Sequence, residues 1–399
     1  MSVDVLLVGS GNMGRGYLEA ARRLGLRVAV VETPARLDVI RAEFGDVLAG
    51  QESVDPAAAD HDEAWVGPAA ELARCTAPRG VLGFSEPHVL AAALVAEAHG
   101  LPGPGLYATQ VSRNKALQRV LYGAVGIPQP ASRLVPDLSE VTPRFPLVVK
   151  PLSGSGSSGV EQVPHKAAWA DVAARRAGDG PLLVEEYAAG DEFSWEALVR
   201  RGCPLFTNLT AKTTTGPPAF VELLHRPSGS AAEREIRDRG DRLGAEVVSA
   251  LRMRDGMVHL EFRLAPDGRA AVLEAAVRTP GDFLMDVVSQ AHGVDLYAAC
   301  LLLALGREPE IPDGERGFRH TAALFLAADR PGTVVPDDTA ALDAVPGVFR
   351  SGLRQDPGRV VGPPESSADR MAFALLDLPT EAALREAVWE TRRAFGTAG

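Results

Sequence analysis

The sequence predicts a mixed α/β and α+β chain of several domains, and three stretches carry that expectation. The first, DVLLVGSGNMGRGYLEAARRLGLRVAVVE at 4–32, reads as strand, glycine turn, helix, strand and acid. The second is an apolar strand, FPLVVK, that ends in Lys150 and leads at once into a Gly/Ser loop. The third, MVHLEFRLAPDGRAAVLEAAVRTPGDF, reads as a β-hairpin carrying two glutamates. At 399 residues the chain is too long for one compact core, and about two to four domains are expected.

Composition narrows the class. Apolar residues make up 46% and charged residues 23%, as in an ordinary folded enzyme. A net charge of −11 argues against nucleic acid as a partner. Cys75, Cys203 and Cys300 lie far apart, so they form neither a disulfide framework nor a zinc site. The chain runs into a strand without a signal-like segment, and its longest apolar stretch, around Leu296–Leu305, is too short to span a bilayer. A cytoplasmic protein without a membrane partner is the expectation.

The opening segment predicts a strand at Val5–Val8, a helix at Asn12–Leu24 capped by Gly25, and a second strand at Arg27–Val31. Gly9, Gly11 and Gly14 match G-x-G-x-x-G, and Glu32 follows Gly11 by 21 positions, the pattern of a dinucleotide-binding turn. RGVLGFSE predicts another strand and PHVLAAALVAEAHG a helix ending at Gly100, before the break LPGPG. In the next helix Leu117, Val120, Leu121 and Val125 share one face, with Gly126 and Pro128 as stops. PLLVEEYAAGDEFSWEALVR holds two strands around a bend, a long irregular section follows, and the tail ends in the helix TEAALREAVWETRRAF.

Counting outward from the turn Pro266-Asp267-Gly268-Arg269 places Leu264 opposite Ala271, Phe262 opposite Leu273 and Glu261 opposite Glu274. His259, Glu261 and Arg263 then share a face with Glu274, Ala276 and Arg278, while Leu260, Phe262 and Leu264 turn to the core. Opposed glutamates repel, so a shared proton, an arginine or a bound cation must offset them. Oxygen-only ligands suit Mg²⁺ held with substrate phosphates; the bland alternative is a solvated face paired with arginines. Ser153–Gly159 offers many backbone N–H groups to a phosphate, with Lys150 beside it as a point charge. It is not a P-loop, and its bland alternative is a flexible linker.

In this order the segments resemble the ATP-grasp superfamily of carboxylate–amine ligases, over the whole chain. The resemblance implies an N-terminal Rossmann-like domain at 1–104, which often binds no dinucleotide in this family. It implies an ATP-grasp N-terminal subdomain with lid and hinge at 105–190, a C-terminal subdomain with the metal site at 191–308, and a closing α/β subdomain at 309–399. Lys115 in NKALQRVLYGAVGIPQP and Lys150 match the two phosphate-contacting lysines, and Ser155, Gly156, Ser157 and Ser158 the lid over the β- and γ-phosphates. Glu185, Glu186, Tyr187 and Ala188 match the adenine hinge, and Glu192 the acceptor of ribose hydroxyls. Glu261 and Glu274 match the magnesium carboxylates, and Arg278 the arginine closing E-x-N-x-R. Ala276 stands where that motif has Asn, which removes the usual third ligand.

The cofactors implied are ATP and Mg²⁺, and the chemistry is an acyl phosphate captured by an amine. AKTTTGPPAFVELLHRPSG is similar to the insertion of amino-acid ligases that make dipeptides, with Lys212, Glu222 and His225 as candidate nucleotide or substrate contacts. Asp282, close after Arg278, suits a substrate ammonium while arginine holds a carboxylate. Phe283 and Met285 suit either an apolar pocket or core, and His320 is a weaker candidate contact. The leading expectation is therefore a ligase joining two amino acids, of dipeptide or γ-glutamyl type; similar proteins are commonly homodimers. The alternatives are a ligase of nucleotide or carboxylation metabolism, an NAD(P)-linked oxidoreductase using Gly9–Gly14, and a catalytically silent nucleotide binder, for which Ala276 is the best support.

Overall fold

The computed structural model describes residues 2–11, 13–230, 233–312 and 317–396. Strands β1 (Val5–Val8), β2 (Val28–Glu32), β3 (Leu48–Ser53) and β4 (Gly80–Gly83) form a parallel sheet in the order β3-β2-β1-β4. VLLV and VAVVE are buried along their whole length, as strands covered by helices on both faces must be. The first helix runs Arg15–Leu24, and the expected start at Asn12 lies outside the described residues. Gly25 and Gly100 close their helices in the left-handed conformation that only glycine adopts without strain.

β5 (Ser132–Val135), β6 (Leu147–Pro151), β7 (Glu161–Val163) and β8 (Leu182–Glu186) form a second, antiparallel sheet ordered β5-β8-β6-β7. The largest sheet takes β9 (Asp191–Arg200), β10 (Cys203–Thr214), β11 (Glu222–Pro227), β12 (Gly256–Leu264), β13 (Ala270–Ala276) and β14 (His320–Leu326). Beyond a small pair, β15 (Thr333–Val334) with β17 (Val360–Val361), it adds β16 (Val348–Leu353) and β18 (Ala372–Leu378). Its order is β13-β12-β9-β10-β11-β14-β18-β16, so the division expected at 308/309 falls between strands of one continuous sheet, joined where His225 pairs with Ala323. Among the described residues no single helix is long and apolar enough to cross a membrane.

Two local readings change. The section read as irregular holds β10, β11 and a 17-residue helix, Arg234–Ala250. Its glycines hide that helix in the sequence and have a packing reason: a Cβ on Gly244 would stand 2.6 Å from the Trp195 indole. In the helix Lys115–Val125 most of the shared apolar face turns outward, with Leu117, Val120 and Val125 at 47%, 72% and 56% exposure, while Leu121 packs against the core. The face turned inward is Lys115, Gln118, Arg119 and Tyr122. Gln118 explains the inversion, because its amide donates to Ala275 O at 3.2 Å and accepts from Ala275 N at 2.8 Å, satisfying the open edge of β13.

The hairpin register is bulged. Next to the turn Leu264 pairs with Ala270 and Phe262 with Val272, one residue away from the expected register. An irregularity between Glu261 and Phe262 absorbs Leu273, and beyond it Glu261 pairs with Glu274 and His259 with Ala276, as counted from the sequence. The loop is longer than a two-residue turn, and the bulge compensates for it.

The glycine turn at Gly9–Gly14 already holds an anion of its own. The Glu32 carboxylate accepts from Ser10 N at 2.8 Å, Gly11 N at 3.0 Å and Ser10 Oγ at 3.1 Å. These are the donors a pyrophosphate would use. The His88 ring also lies on Gly9, where a Cβ would come within 2.1 Å of it. The expected outcome is that titrating NADH into the protein gives no change in nicotinamide fluorescence.

His88 is wedged against Trp65, with ring centroids 4.1 Å apart, and accepts from Ser85 N at 3.2 Å. Burial lowers its pKa to about 4, with Glu32 opposing and Arg113 assisting. The folded protein therefore binds fewer protons than the unfolded chain between the unfolded value, about 6.5, and that value. Stability is full above the window and is lost as pH falls through it, by up to about 3 kcal/mol. Urea denaturation at stepped pH should show this slope, and His88→Gln should flatten it.

Candidate active site

A cleft of about 450 Å³ lies between the three sheets. Of the residues matched above to ATP, metal or substrate, all but Lys212 and His320 line it. β6 delivers Lys150 from its buried end, and the helix beginning at Lys115, capped by the Asn114 side chain on Ala116 N and Leu117 N, delivers the second lysine. The Gly/Ser loop crosses above them. Gly156 is at φ +65°, and a Cβ there would stand 3.3 Å from Ser367. The close approach is used: Ser367 N donates to Gly156 O at 3.0 Å, fastening the loop to the C-terminal segment.

Each acid is matched. Lys115 Nζ lies 2.8 Å from Glu274 and Lys150 Nζ 2.6 Å from Glu185. Glu261 is met by Lys212 at 2.6 Å and by His259 at 3.2 Å. Lysines and a histidine thus offset the repulsion between the opposed glutamates, rather than a shared proton or an arginine. Glu261 and Glu274 both keep 22% of their side chains open. Burial works against ionising Glu261, yet Lys212 and His259 outweigh it and hold the carboxylate well below its usual range. Burial also opposes the charge on His259, but Glu196 at 3.0 Å and Glu261 push its pKa up to about 9. For Lys150 burial prevails and lowers the pKa, with Glu185 opposing. A desolvated ammonium of this kind gains most from an arriving phosphate.

Several side chains are engaged differently from the expectation. Glu185, matched to adenine, has both oxygens held, by Arg119 and by Lys150. Glu192, matched to ribose, accepts from Arg263 Nη2 at 2.9 Å and lies 2.9 Å from Lys212. Lys212 does not line the cleft: its side chain, 1% exposed, stands behind the wall among Glu192, Glu261 and, at 3.5 Å, Glu222, and serves as their shared counter-charge. Burial opposes its charge, but the three acids hold the ammonium well above the usual lysine range. Glu222 accepts from Ser367 Oγ at 2.6 Å and Ser157 Oγ at 3.3 Å, tying lid to C-terminal segment. Asp282, matched to a substrate ammonium, is taken on both oxygens by Arg370 at 2.6 and 2.8 Å and on one by His225 Nε2 at 3.0 Å. His225 Nδ1 is buried without a hydrogen-bond partner among the described residues. Phe283 and Met285 belong to the core, whereas Leu284 lines the cleft. His320 packs edge-on to Phe318 at 5.6 Å and lies away from the cleft.

The sequence reading missed Glu86, Arg119, Phe220 and Arg370. Glu86, beside β4, accepts from Arg278 Nε at 2.6 Å, so the first domain orients the arginine of the last motif. Tyr187 and Phe220 stack at 6.0 Å, with Arg263 over both rings at 5.3 and 4.8 Å, an aromatic shelf beside Ala188 whose carbonyl Arg263 also holds at 3.0 Å. Arg119 donates to Glu185 and, at 2.6 Å, to Leu273 O, the carbonyl of the bulged residue. No local signal marks these residues, because each acts across a long stretch of chain.

Residues 143–286 match the ATP-grasp domain family. This stretch of the chain is similar to ATP-grasp domains. It is 28% identical to carnosine synthase 1 of Gallus gallus over 88% of its own length, but spans only 40% of that protein. It is 22% identical to the L-arginine-specific L-amino acid ligase of Bacillus subtilis, with 75% of each chain covered. Among solved structures, an L-amino acid ligase from Bacillus licheniformis superposes with a TM-score of 0.82 at 21% identity, covering 98% of both chains, which establishes a shared fold.

In this ATP-grasp cleft Arg119 is the buried hub. Replacing it with Met leaves Glu185 short of a partner and Leu273 O unbonded, and should cost about 3–5 kcal/mol. Chemical denaturation measures the loss, and the affinity for an ATP analogue should fall with it as Glu274 leaves register.

Proposed function

We propose that this ATP-grasp ligase joins two amino acids, as a dipeptide or a γ-glutamyl amide, through an acyl phosphate with release of ADP and phosphate. The observation that carries the reading is the composition of one continuous cleft. Two lysines, a Gly/Ser loop and an opposed pair of glutamates lie along it, with Arg278 and His225 beyond them. Relatives named as a carnosine synthase and an L-amino acid ligase support the same substrate class.

The two glutamates suit Mg²⁺ together with triphosphate oxygens, a donor set that needs only one or two carboxylates from the protein. Ala276 contributes no ligand, and among the described residues no group of three or more His, Cys, Asp or Glu converges on a metal position. When bound there, Mg²⁺ would neutralise charge on the phosphates. Lys115 and Lys150 would hold the β- and γ-phosphates, and the aromatic shelf with Tyr187 and Ala188 would hold the base. A substrate carboxylate then attacks the γ-phosphorus, and the bond to the β-phosphate oxygen breaks to give ADP. Arg278, held in place by Glu86, faces the charge that grows on the transferred group. The lid, fastened through Ser367 and Glu222, keeps water from the acyl phosphate. The amine of the second substrate attacks the carbonyl carbon, phosphate leaves, and the amide remains after loss of a proton. His225 Nδ1, unpaired in the cleft wall, is a contact for one of the substrates.

Phosphate release with ATP, Mg²⁺ and a matrix of amino-acid pairs, followed by mass spectrometry of the products, tests the reading. Turnover that requires two amino acids and yields their condensation product is expected. Glu274→Gln should lower that turnover by about 10²-fold or more while the thermal midpoint stays near that of the parent. Undiminished activity in this variant would remove the assigned metal role.

A further inference from the structure

The charges lining the cleft do not cancel in pairs. Lys115 meets Glu274, Lys150 meets Glu185, Arg263 meets Glu192, Arg278 meets Glu86 and Arg370 meets Asp282, all within 2.9 Å. Arg354 lines the same cleft, and among the described residues its side chain has neither an acidic partner within ion-pair distance nor a hydrogen bond. Its guanidinium carbon lies 5.7 Å from the centre of the Phe325 ring. The base of the residue is fixed, since Arg354 N donates to Met371 O at 2.8 Å just past the end of β16.

The surroundings supply no acid to take this charge. Arg370 stands over the same Phe325 ring at 3.7 Å, so two guanidinium groups share one aromatic partner. Asp282 is the nearby carboxylate, but Arg370 and His225 already occupy it. The cleft walls and then Arg370 lower the pKa of Arg354, with Asp282 opposing, which marks a cation that an added anion would relieve. His225 packs edge-on to the same Phe325 ring at 6.0 Å, which places Arg354 beside the Asp282–His225 pair. A guanidinium presents a planar fork that fits a carboxylate.

We propose that Arg354 binds a substrate carboxylate other than the one being activated, so that the cleft selects a substrate bearing a second, free carboxylate. The role rests on the ligase reading above. Two sources share this chemistry: the α-carboxylate of the amine partner, and the side-chain carboxylate of an acidic donor.

Arginine footprinting with phenylglyoxal, read by mass spectrometry in the presence of Mg²⁺ and a non-hydrolysable ATP analogue, tests the site without turnover. Arg354 should react faster than Arg278 or Arg370, and the analogue alone should leave it reactive. Protection by glycine but not by glycinamide assigns the α-carboxylate. Protection by L-glutamate, but by neither glycine nor L-glutamine, assigns the side chain. Protection by the analogue alone makes Arg354 a phosphate contact and overturns the proposal, as does protection by no carboxylate. In steady-state assays Arg354→Gln should raise KM for the carboxylate-bearing substrate about 10–100-fold, more than it lowers kcat, and Arg354→Lys should recover part of the loss. An unchanged KM in an enzyme that does ligate amino acids defeats this inference and leaves the ligase reading standing. Absence of turnover with every pair defeats the ligase reading, while footprinting still decides whether a carboxylate binds at Arg354.

Discussion

One buried guanidinium coordinates the parts of this cleft. Arg119 reaches from the helix Lys115–Val125 to Glu185 on β8 and to the carbonyl of Leu273 on β13. The first contact fixes the carboxylate that holds Lys150. The second stabilises the bulge that returns Glu274 to the position opposite Glu261. A charge this deeply buried costs more in lost hydration than one ion pair returns, unless its hydrogen bonds are also made. Here the bulged carbonyl, which would otherwise lack a partner, makes one of them. Strand register, lysine position and glutamate spacing therefore depend on one another.

The charges of the cleft hold one another in check. Lys115 rests on Glu274, Lys150 on Glu185, and Lys212 behind the wall on Glu261. Such pairing holds the two opposed glutamates in place, so that the ligand proposed above would require little reorganisation of the cleft. Lys212 takes the part that an arginine could have taken, from a position behind the cleft wall.

The N-terminal glycine motif illustrates how a recognised pattern acquires a structural use. Its backbone amides converge as in a dinucleotide-binding turn, but Glu32 turns inward and accepts from them. The acid that would hold a ribose in the dinucleotide-binding pattern instead fills the anion position. The domain is then available to do something else, and Glu86, beside β4, orients Arg278.

Short-range patterns in the sequence determined the strands VLLV and VAVVE, the glycine caps at Gly25 and Gly100, the hairpin with its acids on one side, and the Gly/Ser loop after Lys150. Each is legible because alternation, periodicity and turn chemistry act within a few residues. Tertiary structure alone decided which partners those groups would have. Arg119 and Leu273 are 154 positions apart, Asp282 and Arg370 are 88, and Glu86 and Arg278 are 192. It also decided that most of the apolar face of the Lys115–Val125 helix points outward, because Gln118 and Arg119 had polar backbone edges to satisfy inside. The bulge at Leu273 is the clearest case. Local counting from the turn placed the glutamates opposite each other, but they stand there because a distant arginine holds one extra residue out of the ladder.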